Sequence, residues 1–286
     1  MTTYMEKYPR RNGVATKKPG FWKRLIKGII PWKGDSVAAV IRKLVFIIAL
    51  IIFLATAIPL VSDVFRMFRD QWRSQGISNI YIPDGNSGGA SKEILPSFKK
   101  LLEINPDTVG YLKIDGTAID YPVVKGKDND YYLTHDFYGE KSKSGSVMMD
   151  CNCVVSPDGN SGNMVLYGHN MANGSMFATL HRFYDADFFN KNRYIYVYTP
   201  DRKLTYEIVS AFEYDNRHIM NSFDFSDDNV FSDYLNMIKN PHSVSVNKRN
   251  TELTTDDKIL VLSTCLNSGD GRYLVQGVLK KDEPTK

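Results

Sequence analysis

Three hydrophobic patterns follow one another along the chain. From Leu44 to Val61 no residue carries a charge, and Thr56 is the one polar side chain. At about 1.5 Å per helical residue this run spans roughly 27 Å, close to a hydrocarbon core of about 30 Å. It predicts a membrane-spanning helix, with Pro59 near its end, where a break is tolerable. From Ser62 to about Ile82, the positions of Val64, Phe65, Phe68 and Trp72 keep a helical spacing. Pro83-Asp84-Gly85-Asn86-Ser87-Gly88-Gly89 reads as a flexible linker, and Ser97 to Ile104 as a short helix closed by Asn105-Pro106. From Val109 onward the period shortens. β-type runs fall at 109–114, 118–124, 145–149, 163–167, 194–199, 204–214, 258–264 and 273–279, divided by turn formers such as Asp115-Gly116, Lys125-Gly126, Pro157-Asp158-Gly159 and Pro200-Asp201. This many short strands predict a mostly β domain, a closed barrel or a sandwich. Two helical stripes interrupt them, Met176, Phe177, Leu180 and Phe183 near 175–184, and Val230, Phe231, Tyr234, Leu235 and Ile238 within 226–240. Both read as core-facing peripheral helices.

Charge sharpens this division. The whole chain carries +4, but residues 1–43 hold eleven Lys/Arg against two Asp/Glu, which leaves −5 for the remainder. A nucleic-acid partner would call for basic charge spread over a folded face, so none is expected. Here the excess directly precedes the apolar run, which places the N-terminus in the cytoplasm and the C-terminal part outside the plasma membrane. Ala55-Thr56-Ala57 has the form of a signal-peptidase site, but 43 residues exceed a usual n-region, and an uncleaved anchor is favoured. A mature protein beginning at Ile58 would overturn that reading. Phe21 to Lys27 mixes basic and apolar residues and suits either an anionic membrane surface or a solvated tail. The expected organisation is a basic cytoplasmic tail (1–43), a transmembrane anchor (44–61), a helix and linker (62–94) and an extracytoplasmic catalytic domain (95–286).

The candidate chemistry lies in that last segment. The cysteines are Cys151, Cys153 and Cys265, too few for a disulfide framework. Cys151 and Cys153 are expected on one face of a strand as packed thiols. Cys265 ends the apolar run Ile259-Leu260-Val261-Leu262-Ser263-Thr264, and Arg272 opens the run Tyr273-Leu274-Val275. Upstream, Asn163-Met164-Val165-Leu166-Tyr167 ends in Gly168-His169-Asn170. A thiol nucleophile, an imidazole that carries its proton and a guanidinium that stabilises a developing oxyanion are the parts that acyl transfer needs. His135, His181, His218 and His242 read as surface histidines. No metal-ligand or nucleotide-binding motif occurs, so no cofactor is implied.

Leu262-Ser263-Thr264-Cys265, with Arg272 downstream and His169 upstream, resembles the sortases, membrane-anchored cysteine transpeptidases whose signature is T-L-x-T-C; Val261 stands at the leading threonine. The segments Tyr167-Gly168-His169-Asn170-Met171 with Gly174-Ser175-Met176-Phe177, and Asp128-Asn129-Asp130-Tyr131-Tyr132-Leu133, are similar to class B. So is a helix before the cysteine strand. The resemblance covers roughly residues 95–280 and implies an eight-stranded β-barrel. It further implies that Cys265 attacks a threonine carbonyl in the C-terminal sorting signal of a surface protein. His169 would protonate the departing amine, and Arg272 would bind the substrate backbone or the oxyanion. An amine of a peptidoglycan precursor or of another protein would resolve the thioester. Asn129, Leu133, Ser263 and Thr264 would contact substrate. Two alternatives stay open, a cysteine hydrolase with water as acceptor and a non-catalytic membrane-tethered binding module. No carboxylate partner is assigned to His169.

Overall fold

The computed structural model describes residues 20–80, 96–153 and 163–284. The chain forms two compact units, Met1–Val64 and Phe65–Lys286. The linker expected over 83–89 and the turn expected at 157–159 lie outside the described residues.

The first unit holds helix α1 (Phe21–Ile29) and the start of α2 (Val37–Ile80). Helix α2 runs unbroken through Pro59, near the end of the uncharged run. Proline has no N–H, so the Ala55 carbonyl loses its helical donor. Nearby hydroxyls bond to the same stretch of backbone. Thr56 Oγ1 donates to the Ile52 and Phe53 carbonyls at 3.0 Å each, and Ser62 Oγ to the Pro59 carbonyl at 2.7 Å. Most apolar side chains from Leu44 to Val61 are exposed, as in a segment facing hydrocarbon. One helix among the described residues, Val37–Arg66 within α2, is long and apolar enough to cross a membrane.

Among the described residues, the second unit has nine strands: β1 (Thr108–Lys113), β2 (Asp120–Val124), β3 (Val147–Met149), β4 (Asn163–Tyr167), β5 (Tyr194–Tyr198), β6 (Arg202–Tyr214), β7 (Val246–Lys248), β8 (Ile259–Cys265) and β9 (Arg272–Pro284). Their order is β5-β1-β2-β3-β4-β8-β9-β6-β7, and β5 also pairs with β6. That last pairing closes eight strands into the barrel that the sequence suggested. Strand β7 is the addition. It pairs with Ser210 to Phe212 of β6, beyond the stretch Lys203 to Glu207 that β5 occupies. Strands β4 and β8 run parallel at the centre, and β8 is antiparallel to β9. Every residue of β8 from Ile259 to Thr264 is buried, which is why its sequence shows a continuous apolar run rather than alternation.

The helices seal this barrel. Helix α3 (Pro96–Ile104) buries Phe98 and Leu101 against Tyr111, Val124, Met148 and Tyr198. Helix α6 (Asp228–Lys239) starts at Asp227, whose side chain accepts from the Asn229 and Val230 amides. It buries Phe231, Tyr234, Leu235 and Ile238, and the Tyr234 hydroxyl donates to Gln276 Oε1 on β9 at 3.0 Å. The expected helix near 175–184 is instead a 3₁₀ helix over Ala178–Tyr184. With three residues per turn, every third side chain lines up, and Phe177, Leu180 and Phe183 are all fully buried. Two short helices, α4 (Ala186–Lys191) and α5 (Ile219–Ser222), were not anticipated.

Candidate active site

The three central strand ends bring the candidate chemistry together. Strands β4 and β8 pair in register from Asn163 with Ile259 to Tyr167 with Ser263. The same offset carried two residues further aligns His169 with Cys265, on neighbouring strands that lie about 4.8 Å apart. The alignment persists past the regular ladder. Gly168 N–H donates to the Ser263 carbonyl at 3.3 Å, and Thr264 Oγ1 donates to the Gly168 carbonyl at 2.8 Å. On the other side of β8, Cys265 is the register partner of Arg272. Arg272 Nη1 lies 2.6 Å from Cys265 Sγ. Cys265 therefore sits between the histidine segment and the arginine, partly exposed where the strand ends.

The histidine segment is tightly bent. A Cβ on Gly168 would meet the Phe177 ring at 2.6 Å, so only glycine permits that close approach. The chain returns at Met176, a non-glycine residue with φ of 55°, and Phe177 N–H donates to the His169 carbonyl at 3.0 Å. Asn170 Nδ2 bonds to the Cys265 carbonyl at 3.1 Å and to Asn267 Oδ1 at 2.8 Å, fastening this loop to the β8–β9 turn. His169 Nε2 lies 2.8 Å from the Leu133 carbonyl. A carbonyl only accepts, so this contact places the ring hydrogen on Nε2. On the arginine side, Gly271 has φ of 108°, and a Cβ there would meet the Tyr214 carbonyl at 2.8 Å.

The remaining candidates divide by exposure. Leu133 is 37% exposed, in the 3₁₀ turn Tyr131–Leu133, and supplies its carbonyl to His169. Ser263 and Thr264 are buried, and the Thr264 hydroxyl is engaged by Gly168. Asn129 is also engaged internally. Its Oδ1 accepts from Cys151 N–H at 2.8 Å, and its Nδ2 donates to Asp150 Oδ2 at 3.2 Å.

That contact belongs to a polar hub the sequence did not reveal. Asp150 is completely buried just after β3. Its Oδ2 accepts from the Tyr167 hydroxyl at 2.8 Å and meets His218 Nε2 at 3.0 Å, while its Oδ1 accepts from Asn152 N–H at 2.8 Å. Burial, reinforced by Asp150, pushes the Tyr167 hydroxyl far up, so it remains a donor. Tyr167 stands two residues before His169, so this hub braces the end of β4. The sequence offered one usable signal, a carboxylate directly after the apolar run Val147-Met148-Met149.

Two expectations need correction. Cys151 and Cys153 lie in a turn after β3, not on a strand; Cys153 N–H donates to the Asp150 carbonyl at 3.0 Å. Cys153 is buried and its thiol is pushed up to about 11, chiefly by desolvation. His181, expected on a polar helix face, is half-buried behind the cysteine strand. It stands edge-on to Tyr273, with ring centroids 5.3 Å apart. Burial lowers its pKa, against the opposing pull of the Cys265 backbone and Glu213. The 3₁₀ geometry explains the difference, since it aligns Ala178, His181 and Tyr184 in a second row beside the buried one.

Comparison with known proteins places this geometry in a family. Residues 112–280 match the family model described as Sortase domain. Sortase B of Listeria monocytogenes is 30% identical over 248 residues, spanning 85% of this chain and 98% of that protein. Sortase B of Bacillus anthracis, solved in complex with AAEK1, superposes with a TM-score of 0.67 at 32% identity, covering 76% of this chain and 99% of that one. Clostridium perfringens sortase B gives a TM-score of 0.59 at 37% identity, covering 64% of this chain and all (100%) of that one.

Proposed function

The chain belongs to the sortase family, as a class B cysteine transpeptidase, and from that premise we propose that Cys265 is its nucleophile, His169 its proton carrier and Arg272 its electrostatic anchor. The observation that carries this assignment is the alignment of all three across β4, β8 and β9, with Arg272 Nη1 2.6 Å from Cys265 Sγ. Arg272 thereby presents a cationic N–H donor to the sulfur, and a thiolate is the species that attacks a carbonyl.

The proposed substrate is a surface protein with a C-terminal sorting signal. The Cys265 sulfur attacks the carbonyl carbon of the signal's threonine, and the carbonyl π electrons move onto oxygen. Arg272, a planar fork with several N–H donors, turns from the sulfur towards that oxygen as charge develops there. Collapse of the tetrahedral species breaks the C–N bond. His169, which has taken up the proton of the Cys265 thiol on its second ring nitrogen, delivers that proton to the departing amine, leaving a thioester on Cys265. A cell-wall amine then attacks the thioester, loses its proton to His169 and releases the thiolate.

In this reading Leu133 positions His169 through its backbone carbonyl, and its partly exposed side chain faces the peptide groove. Ser263 and Thr264 brace the strand end beneath the peptide. Asn129 shapes the groove through the Asp150 hub. The apolar helix anchors the chain by a single pass. The basic N-terminal flank keeps its own side cytoplasmic and places the barrel outside, where cell-wall amines are found.

A product assay tests this function. The wild-type chain with a threonine-containing sorting-signal peptide and an amine should give an amide-linked product, and Cys265→Ala should give none while keeping the fold. Free acid as the sole product, with the amine present, would instead identify a hydrolase.

A further inference from the structure

The first unit carries an arrangement that the transpeptidase reaction does not use. Helix α1 ends at Ile29, and α2 begins at Val37. The helical repeat puts Trp22, Leu25, Ile26 and Ile29 along one arc of α1, and positions 23, 24 and 27, all basic, on the other. Trp22, Leu25 and Ile26 remain exposed, at 72%, 42% and 45%. A solvent-exposed apolar face beside basic positions is the pattern of a helix lying in the plane of a bilayer surface.

What distinguishes this helix from a solvated tail is its connection to the span. Lys43 is the last charged residue before the uncharged run of α2, so its ammonium marks the level where headgroups give way to hydrocarbon. That ammonium is bound to the end of α1. It donates to the Lys27 carbonyl at 2.5 Å and the Ile30 carbonyl at 3.2 Å, which satisfies C-terminal carbonyls that the helix leaves open. It also pairs with Asp35 Oδ2 at 2.7 Å, and the same oxygen accepts Trp32 N–H at 2.7 Å. One lysine of the spanning helix therefore sets the depth of α1. From residue 20 to 43 there are six Lys/Arg and one acid, Asp35, which Lys43 neutralises. The surface presented to the bilayer is thus cationic and suits anionic headgroups.

We propose that α1 is an interfacial helix, held at headgroup depth by Lys43, which binds an anionic lipid surface through its Trp22–Leu25–Ile26 face and its basic residues at positions 23, 24 and 27. The proposal rests on the reading of α2 as a membrane anchor. The two are separated by reconstituting the full chain into vesicles of phosphatidylcholine alone or with phosphatidylglycerol. Trp32→Phe and Trp72→Phe leave Trp22 as the sole indole reporter. The expected result is that the chain floats with both vesicles. Trp22 should be quenched by acyl chains brominated near the headgroup more than by deeply brominated ones, with quenching roughly two-fold or more stronger when phosphatidylglycerol is present. Replacing Lys23, Arg24 and Lys27 together by Gln should remove that lipid dependence without affecting flotation. Unquenched Trp22 in floating vesicles would overturn the interfacial helix while leaving the anchor intact. Quenching that ignores phosphatidylglycerol, or that survives the triple Gln change undiminished, would overturn the anionic-lipid assignment. Failure to float would overturn the anchor, and the proposal with it.

Discussion

Arg272 and Cys265 form one register pair of the antiparallel strands β8 and β9, with the guanidinium Nη1 2.6 Å from the sulfur. The backbone register sets a cation beside the sulfur proposed as nucleophile. Arg272→Lys keeps the charge but loses the planar fork. The expected outcome is a drop in kcat/KM of about 10²- to 10³-fold with unchanged thermal unfolding. Near-normal turnover in this variant would remove Arg272 from the site.

His169 reaches its place by a different route, through a continued β4–β8 register and a bond from Nε2 to the Leu133 carbonyl. His169→Gln retains an N–H for Leu133 but cannot carry a proton between amine and sulfur. Its turnover should fall by about 10²- to 10⁴-fold, while circular dichroism stays unchanged. Turnover within a few-fold of wild type would contradict the assigned role.

The buried hub at Asp150 predicts a stability effect rather than a chemical one. Asp150→Ala removes the acceptor shared by Tyr167, Asn129 and His218 and strands buried donors. Unfolding monitored in detergent should show a loss of about 2–4 kcal/mol. His218→Phe should cost less, about 0.5–1.5 kcal/mol, because that side chain is one-third exposed (33%).

His181 predicts the sign of one pH dependence. Burial lowers its folded pKa below the ordinary value of 6.5, so the unfolded chain takes up a proton first as pH falls. Its contribution to stability is complete above about 6.5 and is lost as pH drops from there towards the folded value. Thermal midpoints measured from about pH 8 down to about pH 5 should decline less steeply for His181→Gln than for wild type. Parallel profiles would exclude His181 as their source.

The three thiols should separate by reactivity. Cys153 is 2% exposed and its thiol is held up at about 11, so it stays protonated and shielded at neutral pH. Peptide mapping after alkylation of the native chain should find Cys153 unmodified and activity loss tracking modification of Cys265. Rapid native labelling of Cys153 would contradict its buried position.

Much of this architecture could be read from the residues because its signals are local. The apolar run of β4 ends at Tyr167, two residues before His169, and that of β8 ends at Cys265, because a strand end is where buried backbone meets solvent. The features that escaped depend on partners distant in sequence. Strand β7 is three residues long, Val246–Lys248, and takes its conformation from β6 rather than from any alternation of its own. Asp150 looked like an ordinary polar residue after an apolar run, and only the fold brings Tyr167, Asn129 and His218 to it. A 3.6-residue repeat puts His181 on the polar side, whereas the 3₁₀ turn brings it beside the buried row. A break would be tolerable at Pro59, yet α2 continues through it, with Thr56 and Ser62 hydroxyls bonded to neighbouring carbonyls.

The most direct test of the account is to trap the acyl-enzyme. The chain is incubated with a sorting-signal peptide without amine, quenched in acid and mapped by mass spectrometry. The account predicts the N-terminal part of the cleaved peptide joined as a thioester to Cys265, and its release as an amide when an amine is added before quenching. An adduct on Cys151 or Cys153, or cleavage that proceeds undiminished in Cys265→Ala, would contradict it.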